Sequence, residues 1–253
     1  MLSELTCQEW QDALCIPDDR LPQALILRGT RNLRANADKY RAFLEDPVEL
    51  CPPNALFENV VLGNLRGVPV AYASVYGAAM ASEITHLCGV LGARRVILTG
   101  CCGAVAPGLL PGDLVCATSA RAAEGAAHCY LPYRHRVSAS SELVNAVAAE
   151  AVSPVSLYRG AVWTTAALLA ESEADLRAWR RQEYTAVDME TATVYAVAEY
   201  FGMQRIALLF VFDNPLDGDT LLLTGEDSRI RREAGEHAMI AAALDLAAPV
   251  GVA

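Results

Sequence analysis

The sequence predicts an α/β fold in one domain over residues 1–253, a central mixed, mostly parallel and twisted sheet flanked by helices, with residues 1–20 as an N-terminal extension. Short apolar runs rich in β-branched residues alternate with longer segments of helical periodicity, the pattern of strands that return to a parallel sheet through helices. No repeat or linker interrupts the chain, and 253 residues of which 53% are hydrophobic are enough to bury one substantial core.

Each element has its own signal. Residues 24–28 (ALILR) form a first strand that closes at Gly29. Residues 59–65 and 68–75 flank Arg66-Gly67 and read as a hairpin, Gly67 supplying the positive φ of a tight turn. A helix over 81–91 stops at Gly92, and the buried strand 94–99 runs into Gly100-Cys101-Cys102-Gly103. Strand 113–119 follows. Ser140 or Ser141 caps a helix reaching residue 152, with Glu142 favoured by the dipole in its first turn. Strand 157–164 precedes a charged surface helix over 171–182. Residues 185–187 lead into Asp188-Met189-Glu190-Thr191 and a helix ending at Gly202, and residues 205–212 (RIALLFVF) are a wholly apolar strand ending in Asp213-Asn214. In the closing helix, residues 228–247, Ile230, Ala234, Ile240 and Leu244 recur at nearly helical spacing and are expected to face the sheet.

Composition excludes several classes of function. A net charge of -10, with four histidines and no dense block of Lys or Arg, is the wrong electrostatic footprint for a nucleic-acid binder. The first 19 residues carry Glu4, Glu9 and Asp12 and lack the basic start and apolar stretch of a secretory signal. No segment reads as a membrane span, the apolar tail 238–253 being short and interrupted by Asp245 and Pro249. A cytoplasmic protein is expected. The eight cysteines form no CxxC pair, which argues against a zinc site or a disulfide framework, so most are expected as small apolar core residues.

Ligands of open α/β sheets sit at the carboxyl ends of strands, where glycine lets the backbone approach them, so the Gly100–Gly103 junction is the first place for chemistry. Two acidic residues stand at similar junctions. Glu190, between a strand and a helix, can accept hydrogen bonds on both oxygens from neighbouring sugar hydroxyls. Asp213, ending an apolar strand, lies where desolvation raises a carboxyl pKa and leaves a fraction protonated. On position alone, Glu190 is equally an acidic residue of a helix's first turn, and Asp213-Asn214-Pro215 equally a turn.

Taken together, residues 99–115 (TGCCGAVAPGLLPGDLV), 124–132 (EGAAHCYLP), 187–195 (VDMETATVY) and 212–214 (FDN) resemble, in content and order, the nucleoside phosphorylase and nucleosidase superfamily. The resemblance runs over roughly residues 24–246. It implies a nucleoside phosphorylase-like fold that binds a nucleoside and cleaves the bond between base and ribose. Such cleavage leaves positive charge on the sugar and negative charge on the departing base.

Carried across by position, Glu190 matches the ribose-binding glutamate, Met189 the methionine packed on the sugar, and Asp213 the aspartate that protonates or hydrogen-bonds a purine. Members acting on pyrimidines resemble a Gln and Arg pattern in the segment that here spans residues 166–174 and has neither, which favours a purine-type base. Tyr76, beside Gly77, is expected at the ribose. Trp163, Leu168 and Asp188 are expected at the base, with core packing the alternative for Tyr76, Trp163 and Leu168.

The phosphate or water position matches less well. Phosphorylases resemble Gly-Asp-Pro-x-Arg after the first strand, where this chain has Gly29-Thr-Arg-Asn-Leu-Arg34, so Arg34 or Arg31 fills the role beside Gly29, Gly100 and Cys101. The phosphorylase arginine two residues before Gly100 corresponds to Leu98, and the phosphate-binding Ser or Thr to Cys101; leucine removes a charge-assisted contact. The water-activating glutamate of nucleosidases is also missing from residues 30–38.

Phosphorolysis to free base and ribose 1-phosphate is therefore the leading expectation, with hydrolysis second and a nucleoside-binding protein that has lost catalysis third. No metal or organic cofactor is called for, inorganic phosphate being the possible cosubstrate. The resemblance implies a homo-oligomer, dimer or hexamer. His128 and Tyr130 are expected near the base or a neighbouring subunit, or else on the surface. Of Arg229, Arg231 and Arg232, one could cover Asp213; a solvated face is the alternative.

Overall fold

The computed structural model describes residues 1–147, 155–222 and 225–248. Ten strands form one sheet: β1 (Ala24–Gly29), β2 (Glu45–Glu49), β3 (Val60–Leu65), β4 (Val68–Val75), β5 (Arg95–Ala104), β6 (Leu114–Ala122), β7 (Arg136–Ser138), β8 (Leu157–Thr164), β9 (Tyr184–Asp188) and β10 (Gln204–Asp213). The helices are α1 (Cys7–Leu14), α2 (Leu33–Arg41), α3 (Gly77–Val90), α4 (Ala126–Tyr130), α5 (Ser141–Ala146), α6 (Glu173–Arg181), α7 (Thr191–Tyr200) and α8 (Glu226–Ala247).

The sheet is mixed, as expected, and its longest ladders are parallel. β1 lies between β4 and β5, parallel to both, and β10 runs parallel to β5. β6, β8 and β9 form a second parallel group, joined to the first by antiparallel β10–β6 and β5–β9 pairings. Both faces are covered, which is why the central strands read as continuous apolar runs. Leu25 and Leu27 point into a layer with Ile84 and Leu87 of α3 and Val194 and Tyr195 of α7. Ala24 and Ile26 point the other way, towards Tyr40 of α2 and Met239, Ala243 and Leu244 of α8. Each such aliphatic side chain contributes about 1.5–3 kcal/mol when fully buried.

The hairpin forms where expected: Leu65 pairs with Val68, and Arg66 (φ 53°) and Gly67 (φ 77°) are both left-handed. That is the two-residue turn whose twist matches the flanking strands.

Other boundaries move for physical reasons. α3 starts at Gly77 rather than residue 81, because Gly77 (φ 80°) opens the helix instead of breaking it. β5 continues through Gly100 and both cysteines, since β10 runs alongside, pairing Leu209 with Gly100 and Phe210 with Cys101. The expected strand-to-glycine junction is thus strand. Ser140 does precede α5, but its hydroxyl accepts from the Arg205 amide at 3.0 Å instead of capping the helix. Residues 148–152 of that expected helix lie outside the described residues.

In α8, Ile230 is 53% exposed, contrary to expectation, while Arg232, Gly235 and Met239 are buried. The inward stripe of its first turns is polar and glycine-bearing, and apolar periodicity could not register it. Residues before β1 are packed rather than trailing: Thr6 and Glu9 cap α1 reciprocally, and Trp10 sits edge-on to Phe57 at 5.8 Å. Cys88, Cys102 and Cys116 are core residues and Cys7 and Cys51 pack against the core, while Cys15, Cys101 and Cys129 are exposed. No helix among the described residues is long and apolar enough to cross a membrane.

Candidate active site

A cavity of about 420 Å³ opens where β1, β5, β9 and β10 end and α7 begins, lined among others by Gly29, Cys101, Asp188, Met189, Glu190 and Asp213. This is the crevice beyond the strand ends that α/β sheets offer to ligands. Residues far apart in the chain meet there because their strands are neighbours.

Glu190 occupies the turn between β9 and α7 and is 7% exposed. Its Oε1 accepts a 2.7 Å hydrogen bond from the Gly77 amide. Its Oε2 lies over Gly29, where a Cβ would come within 2.9 Å, so glycine is what leaves room for the carboxylate. Burial first, and the neighbouring Asp188 second, push its pKa up; the Gly77 amide and the Arg28 guanidinium act against that.

Asp188 lines the same wall, but its oxygens are already engaged. Oδ1 accepts from the Thr164 hydroxyl at 2.7 Å, and Oδ2 from the backbone amides of Glu190 (3.2 Å) and Thr191 (2.7 Å). This carboxylate therefore holds the start of α7 and fixes the turn that carries Glu190, besides lining the cavity.

At the opposite end Asp213 terminates β10, also 7% exposed. Burial and the nearby Asp219 raise its pKa to about 6, against the opposing charge of Arg232. It faces Gly103 across the β5–β10 ladder, where an added Cβ would lie 3.5 Å from its Oδ1, an ordinary contact, and press more closely on Val187 at 3.2 Å. Asn214 points away and clamps the turn, donating to the carbonyls of Ala106 and Leu109, both at 3.2 Å.

Of the three arginines opening α8, Arg232 is the one at Asp213. Its Nε donates to the Phe212 carbonyl at 2.6 Å and its guanidinium lies 3.9 Å from the Phe212 ring centroid. Arg229 pairs with Glu226 and Glu233 on the surface, and Arg231 with Asp113.

Other expectations divide. Met189, Tyr76 and Leu168 line the cavity, as do Arg31 and Cys101. Arg31 lies 4.8 Å from the ring centroid of Tyr76 at the rim. Although Cys101 keeps surface open to the cavity, desolvation by the atoms packed around it raises the thiol pKa, so the thiol is not a ready thiolate. Gly100 contributes close backbone packing against Gly29 rather than cavity surface.

Arg34 is exposed on α2 and outside the cavity lining, which leaves Arg31 of the two alternatives. Trp163 is also outside it, stacked on Trp179 at 5.0 Å with its edge contact to Tyr184 at 5.2 Å, so its role is packing. His128 faces His135 at 3.3 Å and Tyr130 faces His86 at 3.0 Å, both outside the lining.

Two charged lining residues escape sequence reasoning. Arg28 is 4% exposed inside an apolar run that reads as an ordinary strand. Glu171 looks like the start of a charged surface helix, yet it precedes the Ser172 cap of α6 and turns inward. Its Oε1 is buried without a partner, and burial, with Asp213 and Asp175 nearby, raises its pKa to about 7. The helix-capping Ser172-x-x-Asp175 signal, which places Glu171 before the helix, was the available clue.

Fold and cavity together define an α/β protein with a small-molecule site that carries a buried acid at each end. The chain belongs to the phosphorylase superfamily, whose family model matches residues 35–245. A uridine phosphorylase of Thermococcus kodakarensis is 28% identical over 169 residues, 60% of this chain and 60% of that protein. The match therefore spans less than two thirds of that relative. A DeoD-type purine nucleoside phosphorylase of a Geobacillus species is 29% identical over 196 residues, 76% of this chain and 75% of the relative. Among solved structures, purine nucleoside phosphorylase of Toxoplasma gondii in complex with immucillin-H superposes with a TM-score of 0.77 at 20% identity, covering 92% of this chain and 93% of the other. Uridine phosphorylase of Vibrio fischeri superposes at 0.76 and 19% identity, with 92% and 95% covered.

Proposed function

We propose that the protein cleaves the N-glycosidic bond of a purine-type nucleoside by phosphorolysis. A phosphate oxygen bonds to C1′, the bond from C1′ to the base nitrogen breaks with its electron pair going to the base, and Asp213 delivers a proton to the ring. The products are free base and ribose 1-phosphate. The observation that carries this reading is that Glu190 and Asp213 line one cavity, with Asp213 raised to about 6. At neutral pH roughly a tenth of such a group is protonated, enough to serve as a general acid.

Glu190 accepts from the ribose hydroxyls on the oxygen that Gly77 leaves free, with Met189 and Tyr76 against the sugar. Leu168 and the two acids Asp213 and Glu171 face the base. The reading entails a cytoplasmic homo-oligomer, dimer or hexamer, and no cofactor beyond phosphate as cosubstrate.

Hydrolysis is the second reading, favoured by Leu98, which is fully buried in the apolar layer where it supplies no charge. Base release from a panel of nucleosides, with and without inorganic phosphate, separates the two. Phosphate-dependent release from purine nucleosides is expected. Release at an undiminished rate without phosphate transfers the proposal to hydrolysis, and no release under either condition refutes both.

A further inference from the structure

Two arginines line the cavity, and only Arg28 is buried. It sits at the penultimate position of β1, paired in register with Thr99, while the preceding residue of the same strand, Leu27, pairs with Leu98. Successive strand residues alternate faces, so Arg28 and Leu98 point to opposite sides of the sheet. Its guanidinium is held from α8: Nη2 donates to Glu236 at 2.8 Å and Nη1 contacts the Met239 sulfur at 3.4 Å, with the Phe210 ring centroid 5.5 Å from the guanidinium carbon.

Three features distinguish this arrangement from an ordinary buried ion pair. Glu236 is shared with Lys39, whose Nζ lies 2.9 Å from it, so two cations face one carboxylate and a positive charge is left over. The Arg28 Nε is buried and has no hydrogen-bond partner. Arg28 also lines one cavity with Cys101 and Glu190, and its charge opposes the rise that burial imposes on the pKa of each.

We propose that Arg28 is the oxyanion ligand of this cavity, its unpaired edge donating to the tetrahedral phosphate and so supplying the charge-assisted contact that Leu98 does not. The assignment rests on the phosphorolytic reading for its consequence in turnover. Glu236 and Met239 act as positioning residues that hold the fork rigid, and Arg31 at the rim remains available to a phosphate from the solvent side. A lysine at residue 28 keeps the charge but loses the planar pair of donors.

The test uses the intact protein, with turnover measured against inorganic phosphate and, separately, the melting temperature titrated with inorganic phosphate in the absence of nucleoside. Arg28→Lys is expected to raise the phosphate KM about tenfold or more, to leave the nucleoside KM at saturating phosphate within about twofold, and to abolish the phosphate-induced rise in melting temperature. Glu236→Gln, which keeps the arginine and removes the competing carboxylate, is expected to lower the phosphate KM. An unchanged phosphate KM in Arg28→Lys, or in Glu236→Gln should the first variant fail to fold, overturns the assignment while phosphorolysis stands. Should the wild type release base without phosphate, the reaction proposed above falls. The ligand assignment is then decided by the melting titration alone, where equal phosphate shifts in wild type and Arg28→Lys, or no shift in either, refute it.

Discussion

The amide of Gly77 donates to Oε1 of Glu190 across 113 residues of sequence at 2.7 Å, so this cavity-lining acid is aimed by the first turn of α3. Burial raises the pKa of this acid, and the fold therefore holds its proton more tightly than the unfolded chain does. Stability then falls as pH climbs from the ordinary glutamate value through the raised one. Glu190→Gln is expected to lower kcat/KM about a hundredfold or more while melting no lower than wild type at alkaline pH. Near-normal turnover in this variant would remove Glu190 from the site.

Gly29→Ala places a methyl group against the Glu190 carboxylate. Overpacking of this kind costs about 1–3 kcal/mol. The nucleoside KM is expected to rise, with a smaller effect on melting than on binding; steady-state kinetics and thermal denaturation on the same preparation check both.

Asp213, raised to about 6, must carry its proton to act as an acid. Activity should therefore decline above about pH 6, with kcat/KM losing tenfold per pH unit, and Asp213→Asn should abolish that limb along with most of the rate. Because the folded pKa exceeds the unfolded one, the ionised aspartate weakens the fold between the two values and above. The Asn variant is expected to be as stable as wild type, or more so, at pH 8. A pH–rate profile with no basic limb near 6 would count against Asp213 as the acid.

Arg232 holds the Asp213 pKa down against burial and Asp219. Arg232→Gln should move the basic limb of the profile to higher pH. It should also cost stability on the order of 1–3 kcal/mol, since the guanidinium leaves the Phe212 ring and carbonyl without their partner. The shift in the limb separates an electrostatic role from mere packing.

Glu171 carries a buried, unpartnered oxygen beside Asp213, with a pKa raised to about 7. Glu171→Gln is expected to change the nucleoside KM by about tenfold or more, to a different extent for bases that present a ring N–H and bases that present a lone pair, and to leave the phosphate KM unchanged. Equal effects on both kinds of base would make it a structural acid.

Much of the framework was legible because burial on both faces of the sheet writes itself as apolar runs, as in residues 205–212. Glu190 and Asp213 were legible because each follows a strand whose end is marked by a change to polar residues. β2 was not, because its EDPVE sequence places a proline and three acids on an edge strand where only part of the backbone is paired. Arg28 was hidden for the opposite reason, a charge embedded in an apolar run whose partner Glu236 lies 208 positions away. Trp163 shows the converse error: an aromatic residue in strand β8 has no sequence mark distinguishing a ligand platform from the Trp179 stack that it joins.

Gly235 of α8 packs so tightly on Gly112 that a Cβ on Gly235 would collide with the Gly112 carbonyl, and one on Gly112 would collide with the backbone of Arg231, a turn earlier in the same helix. The rod is seated there at a fixed pivot, with Arg232 on one side of the contact and Glu236 on the other. The first reaches the acid at one extremity of the pocket and the second the guanidinium at the other. One helix seated at one close backbone contact thus sets the positions of both Arg232 and Glu236, so a substitution at Gly235 is felt at Asp213 and at Arg28 together.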